Sequence, residues 1–85
     1  MNVNELQRGL QEYQQAVTEH LTQLEESIEE AGQRYDALNA EYDGEAAQEF
    51  RGRWMTTIQW LDDYVALMQG LNEYLSERTE HLAEL

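Results

Sequence analysis

The residues of this chain that could bind a metal or act as a general acid and base are its two histidines and its adjacent pairs of acidic residues. A di-iron site in a helical bundle needs Glu-x-x-His, so that both ligands reach one ion from one helix. Val17 stands three positions before His20, however, and Arg78 stands three before His81. Neighbouring carboxylates such as Asp62-Asp63 diverge by about 100° on a helix, which separates a general acid from its base. We therefore expect no metal site.

Other catalytic signatures are absent from the sequence. There is no cysteine, which excludes disulfides and thiolate metal sites. The sequence contains no glycine-rich phosphate loop, no nucleophile motif and no Ser-His-Asp arrangement. We predict that the protein is not an enzyme and uses no cofactor, which directs attention to the elements that could present a binding surface.

The first half of the chain has the hydrophobic spacing of one long helix. Asn2 or Asn4 can cap its start, and Glu5 suits the positive end of the helix dipole. The apolar positions recur every three or four residues, the period of a straight α-helix. They are Leu6, Leu10, Tyr13, Val17, Leu21, Leu24, Ile28, Ala31, Tyr35, Leu38 and Tyr42. This stripe is narrow, so the helix is expected to bury one seam and expose the rest.

The tripeptide Tyr42-Asp43-Gly44 is the expected point of chain reversal. Gly44 tolerates the backbone angles of a tight turn, and Asp43 is expected to cap the next helix by accepting a bond from an amide in its first turn. Tyr42 places a large aromatic side chain at the turn. We predict an all-α protein with a single domain over residues 1–85. Its antiparallel hairpin would comprise helix 1 at about 4–40, a turn at 41–44 and helix 2 at about 45–84.

The second half carries more apolar surface than one helix can cover. One stripe is Ala47, Phe50, Trp54, Ile58, Leu61, Val65, Met68, Leu75 and Leu82. A second stripe beside it is Trp60, Tyr64, Leu67, Leu71 and Tyr74. Helix 1 can pack against only one of them, and large aromatic side chains beside a seam are typical of interface anchors. The second stripe therefore predicts a dimer interface, with two hairpins forming a four-helix bundle.

The chain is strongly acidic, with 18 acidic and 5 basic residues and a net charge of −13. This charge repels nucleic acid and anionic lipid, so neither is expected as a partner. The alternatives are a solvated outer surface and an acidic mimic of nucleic acid that sequesters a basic protein. No apolar run approaches the roughly 18 residues of a membrane span, so membrane insertion is not expected. The N-terminal residues lack the pattern of a cleaved signal peptide.

The turn and the start of helix 2 resemble the WXG family, small helical-hairpin proteins of type VII secretion systems. The family pattern is a Trp-x-Gly turn followed by a small residue two positions on, an aromatic six on and often another aromatic or apolar residue ten on. Here the corresponding residues are Tyr42, Asp43, Gly44, Ala46, Phe50 and Trp54. Tyr42 replaces the tryptophan and keeps an aromatic ring. The resemblance in architecture extends over nearly the whole chain.

The resemblance implies a bacterial protein that is cytoplasmic, secreted without a cleaved signal peptide, or both. It implies a homodimer, or a heterodimer with a related hairpin, and a secretion ATPase that reads Tyr42 and Gly44. The family's Tyr-x-x-x-Asp/Glu export signal is missing, because the residues four after each tyrosine are Val17, Asn39, Ala46, Met68 and Arg78. The alternative is a cytoplasmic chaperone or adaptor for a larger secreted toxin.

Overall fold

The protein consists of two long α-helices joined by a short turn. A computed structural model describes residues 2–83, with α1 at Val3–Asn39 and α2 at Glu45–Ala83. Asn2 caps α1, because its side-chain oxygen accepts the Glu5 N–H at 2.8 Å. The described residues contain no strand, so the all-α hairpin is confirmed. The expected end of helix 2 at Glu84 lies outside the described residues.

The chain reverses at residues 40–44. Gly44 has a φ of +96°, a conformation that costs an L-residue backbone strain, so a glycine is needed here. The Gly44 carbonyl accepts the Gln48 N–H at 3.2 Å, which makes Gly44 the N-cap of α2. The prediction for Asp43 is wrong: its carboxylate accepts the Gly44 N–H at 2.8 Å, one residue before the first turn. Asp43 therefore orders the turn rather than capping the helix.

The two helices run antiparallel along a narrow seam. Residues from the middle of α1 contact residues 44 to 54 positions later in the chain. A hydrogen bond joins His20 to Tyr64, and the Asn72 amide donates to the Thr18 hydroxyl. The seam buries Val17 and Leu21. The buried apolar partners from α2 are Ala47 and Leu75.

No large side chain among the described residues is fully buried. The described part of the chain measures 62 × 17 × 17 Å and is thus a rod two helices wide. Apolar burial is the main stabilising term of a fold, and a two-helix rod supplies little of it. The surface outside the seam therefore carries the remaining apolar residues.

Candidate functional site

An aromatic cluster closes the turn end of the hairpin. Tyr35 of α1 stacks on Trp54 of α2, with ring centroids 4.6 Å apart and planes 10° from parallel. Phe50 lies between this pair and the turn, 5.7 Å from Tyr35 and 6.4 Å from Tyr42 between centroids. Each such ring pair contributes about 0.5–1.5 kcal/mol beyond its buried area. The structure thus brings together three residues of the turn motif, Tyr42, Phe50 and Trp54.

The rings of the turn motif remain accessible. Tyr42 is 38% exposed and Phe50 is 37% exposed, whereas Trp54 is half-buried under Tyr35. Asp43, Gly44 and Ala46 are exposed as well. The motif therefore does two things at once, because it closes the hairpin and presents a partly open aromatic surface at its tip.

Arg51 ties the two helices together beside this cluster, a role that the sequence reading missed. Its guanidinium donates to the side-chain oxygen of Asn39 and, at 2.8 Å, to the backbone carbonyl of Tyr42. The C-terminal end of a helix carries carbonyls without helical partners and attracts cations. The sequence signal for this role is an arginine shortly after a reversal between two helices. Such an arginine lies near the C-terminal end of the preceding helix, where it can donate to free carbonyls.

The second stripe of α2 is largely uncovered. Trp60 is 65% exposed, Leu67 74%, Leu71 37% and Tyr74 51%. Tyr64 differs because it is half-buried and its hydroxyl lies 2.9 Å from Nε2 of His20 on α1. The Trp60 ring stacks on Tyr64 at 6.0 Å, so three rings extend from α1 across to the exposed edge of α2.

The contact between His20 and Tyr64 places a row of α1 residues on the same side as this stripe. A depression at the open end agrees, because Leu6 and Tyr74 both line this apolar space of about 290 Å³. The α1 row follows helical spacing: Leu6, Gly9, Tyr13, Ala16, His20, Leu24, Ser27, Ala31, Arg34 and Leu38. The α2 row continues the predicted stripe: Arg53, Thr57, Trp60, Tyr64, Leu67, Leu71, Tyr74 and Arg78.

These two rows contain no acidic residue, although 18 of the 85 residues are acidic. We call them the carboxylate-free face. Its charged groups are Arg34, Arg53 and Arg78, and the Arg78 guanidinium lies 5.1 Å from the Tyr74 ring centroid. Arg34 and Arg53 pair along their own helices with Glu30 and Glu49 at 3.0 and 3.2 Å. The rows themselves hold no carboxylate, and the Glu30 and Glu49 carboxylates lie beside them, paired with the Arg34 and Arg53 guanidiniums.

The opposite side of the hairpin, which we call the polar face, is held by polar contacts. Gln69 donates to Glu25 at 3.4 Å, and the Asn72 amide donates to the Thr18 hydroxyl at 2.9 Å. A groove of about 350 Å³ on this side is lined by Glu25, Glu29 and Asp62 together with Ile28, Val65, Ala66 and Gln69. The polar face thus carries acids around its groove, whereas the large exposed aromatic side chains Trp60 and Tyr74 lie on the carboxylate-free face.

Within the described residues, no group of three His, Cys, Asp or Glu side chains is placed to hold a metal ion. Over the same residues, neither helix contains an 18-residue stretch apolar enough to cross a membrane. Two surfaces remain as candidate sites, the turn and the carboxylate-free face.

Comparison with known proteins adds no relative. The chain matches no family model, and comparisons with curated proteins and with solved structures give no significant match. The case for a function therefore depends on the geometry of the two surfaces.

Proposed function

We propose that this protein is a WXG-like helical-hairpin module of a type VII secretion system, acting as a dimeric substrate or co-substrate. The observation that carries the proposal is the turn: an aromatic residue, a glycine at positive φ and an aromatic six residues later that packs on the first. This combination joins a sequence pattern to a local geometry. In this role the partly exposed Tyr42 and Phe50 form the surface that the secretion ATPase reads.

The second part of the proposal is association through α2. Trp60, Leu67, Leu71 and Tyr74 are exposed on the hairpin, and aromatic anchors of this kind are typical of interface hot spots. Covering them requires another subunit, and two hairpins side by side make a four-helix bundle. The subunit is a second copy or a related hairpin.

A chaperone or adaptor for a larger secreted toxin is a second candidate, favoured by one contact. Four residues after Tyr74, where the family's export signal has an acid, this chain has Arg78, whose guanidinium lies over the Tyr74 ring. A cation at that position supplies no carboxylate for a receptor. In this role the hairpin depends on a partner that carries the signal.

The test is export in the native host. We expect the protein in the culture medium, its export lost when the secretion ATPase is deleted and reduced by Tyr42→Ala. Met55→Ala is the matched control, because Met55 is 69% exposed and lies outside both the turn motif and the two rows of the carboxylate-free face. Export that persists unchanged without the ATPase refutes the substrate role. Retention in the cytoplasm together with a co-purifying larger toxin selects the chaperone role instead.

A further inference from the structure

The depression of about 290 Å³ at the open end of the hairpin, which we call the open-end pocket, is far from the turn. Its apolar lining comes from both helices, with Leu6 and Leu10 of α1 and Tyr74, Leu75 and Leu82 of α2. Leu6 and Tyr74 are exposed, so the hairpin itself does not cover them. Sites for small molecules are mostly apolar concavities of about 300 Å³ or more with a few polar groups. The size and lining of this pocket therefore fit a small ligand that is largely hydrocarbon.

Two nitrogen-bearing side chains, Arg78 and His81, complete the lining. The Arg78 guanidinium lies 5.1 Å from the centroid of the Tyr74 ring, which holds the cation beside the apolar space. No acid stands three or four positions from Arg78, where an ion pair along the helix would form; these positions hold Tyr74, Leu75, His81 and Leu82. The helix face that carries Arg78 is thus the pocket itself.

Arg78 differs in this respect from three of the other arginines. Arg34 and Arg53 each pair with a glutamate of their own helix, and Arg51 donates to two oxygens beside the turn. In the part of the chain that the structure describes, the Arg78 guanidinium contacts an aromatic ring and forms no ion pair. Glu77, its neighbour in sequence, does not line the pocket. An apolar space with an unpaired cation beside it complements a ligand that joins a hydrocarbon to a negative charge.

We propose that the open-end pocket binds a free medium-chain fatty acid as its carboxylate, with the alkyl chain along Leu6 and Leu10 and the carboxylate at Arg78. The guanidinium donates to the carboxylate oxygens in charge-assisted hydrogen bonds. The His81 ring adds a donor, because imidazole carries at least one N–H in either tautomer. This site goes beyond the proposed function, since it lies at the opposite end of the rod from the turn.

The distribution of polar groups selects this class of ligand. Apart from the Tyr74 hydroxyl, the polar groups of the lining belong to Arg78 and His81, which are about one helical turn apart. A sugar or a nucleotide would bury further polar atoms without partners here. The α2 lining, from residue 74 to residue 82, spans about 12 Å at about 1.5 Å per residue, which suits a medium alkyl chain.

The net charge of −13 opposes an anion at long range, so the local cation must decide the binding. At physiological ionic strength, salt screens the distant carboxylates beyond about 8 Å, whereas Arg78 is in direct contact with the ligand. This contrast distinguishes a built site from surfactant adsorption. Adsorption to the acidic surface would favour a cationic amphiphile, and the open-end pocket favours an anionic one.

The first experiment is a calorimetric titration of the full chain with decanoate and with decyltrimethylammonium, both below the concentrations at which they form micelles. The two share an alkyl chain of the same length and carry opposite charges. We expect decanoate to bind about tenfold more tightly, and hexanoate to bind about tenfold more weakly than decanoate. Each methylene changes the dissociation constant about fourfold when fully buried and about twofold in an open pocket. Equal or tighter binding of decyltrimethylammonium overturns the inference.

A pair of variants tests the role of the cation. Arg78→Gln is expected to raise the dissociation constant of decanoate about tenfold, because a charge-assisted bond is lost. Arg34→Gln is the matched control: it removes the same charge from an exposed ion pair far from the pocket and should change the constant by less than about twofold. Circular dichroism verifies that both variants are folded. Equal losses in the two variants would assign binding to net charge and overturn the site.

Amide chemical shifts of the isotope-labelled chain locate the ligand. Decanoate should shift residues 6–10 and 74–82, whereas changes centred on Trp60 and Leu67 would place it elsewhere and overturn the inference. Absence of binding at about 1 mM decanoate overturns it as well. If the amides of the pocket then shift when the protein alone is diluted, its occupant is a second copy of the chain. None of these results decides the proposed function, because export is tested by its dependence on the ATPase.

Discussion

His20 of α1 and Tyr64 of α2 are joined by a hydrogen bond of 2.9 Å between Nε2 and the phenol oxygen, and both residues belong to the carboxylate-free face. The two residues are 44 positions apart, so the bond fixes which parts of the helices lie side by side. The Tyr64 ring also stacks on Trp60, with centroids 6.0 Å apart and planes 13° from parallel. The hydrogen bond and the ring contact together connect α1 to Trp60, the main aromatic anchor of the exposed face.

Removing the Tyr64 hydroxyl should weaken the hairpin without unfolding it. Tyr64→Phe keeps the ring stacked on Trp60 and deletes the bond to His20, which is worth about 0.5–1 kcal/mol at a partly exposed site. The measurement is urea denaturation followed by circular dichroism. Tyr13→Phe is the control, because its hydroxyl makes no protein hydrogen bond in the described residues and the ring is 54% exposed. Equal midpoints for the two variants would contradict the assigned role.

Trp60→Glu should abolish association while leaving helicity in place. The side chain is 65% exposed, so its loss removes little from the seam, but a carboxylate at the centre of the face would be desolvated by any covering subunit. Sedimentation velocity and far-ultraviolet circular dichroism separate the two effects. Met55→Glu, which is 69% exposed and outside both rows of the face, should sediment like the parent. If Trp60→Glu remains a dimer, the interface lies elsewhere.

Gly44→Ala should destabilise the turn. A residue with a Cβ at φ of +96° is strained, and the expected loss is about 1–3 kcal/mol. Gly52→Ala is the matched control: its Cβ would meet open space within α2, and alanine favours a helix by about 1 kcal/mol over glycine. The two changes should therefore shift the melting temperature in opposite directions. Shifts of the same sign would show that the turn is not locked by backbone geometry.

Arg51→Ala should loosen the closed end of the hairpin. It removes the bonds to Asn39 and to the Tyr42 carbonyl, with an expected cost of about 1–2 kcal/mol. Arg34→Ala, which deletes only an exposed pair with Glu30, should change stability by less than about 0.5 kcal/mol. Amide hydrogen exchange at residues 36–48 measures how often the turn end of the hairpin opens. Protection that is unchanged in Arg51→Ala would refute the tie between the helices.

Phe50→Ala should lower the free energy of unfolding by less than the same substitution at a fully buried phenylalanine. A buried Phe→Ala change costs about 3–5 kcal/mol, but Phe50 is 37% exposed, so about 2 kcal/mol is expected. If the ring is part of the recognised surface, the amount of exported protein should fall by more than the loss of folded protein accounts for. Trp54→Phe, at the half-buried neighbour, keeps an aromatic ring under Tyr35 and should preserve export.

The helices and the reversal were predictable because both signals are local. The period of the apolar residues predicted two helices, which the described residues contain, and Gly44 marked the turn by its backbone freedom. The seam stripe of α2 was also identified, since Ala47 and Leu75 are buried. Asp43 was misjudged because a capping residue and its neighbour one position earlier look alike in sequence. Only the hydrogen bond that the Gly44 carbonyl accepts from the Gln48 N–H shows that Gly44, and not Asp43, is the capping residue.

The side-chain contacts between α1 and α2 could not be predicted, because they depend on the register of the two helices. The pairing of His20 with Tyr64 and the tie made by Arg51 each join positions whose proximity is set by how the two rods slide past each other. The α1 half of the carboxylate-free face was overlooked for the same reason. Tyr13, Ala31 and Leu38 were assigned to the seam, and only the rotation of α1 against α2 shows that Tyr13 and Leu38 point away from it.

Four aromatic rings and Arg51 cluster at the turn end of the hairpin, so more cross-helix interactions hold the helices together there than at the open end. Near the turn, contacts join residues only 9 to 19 positions apart, whereas those at the other end close far larger loops. Loop-closure entropy rises with loop length, so we expect the rod to form first at Tyr35 and Trp54 and to extend from there toward its termini. We expect it to open in the reverse order, with Leu6 and Leu82 at the end that separates first and the turn at the end that separates last.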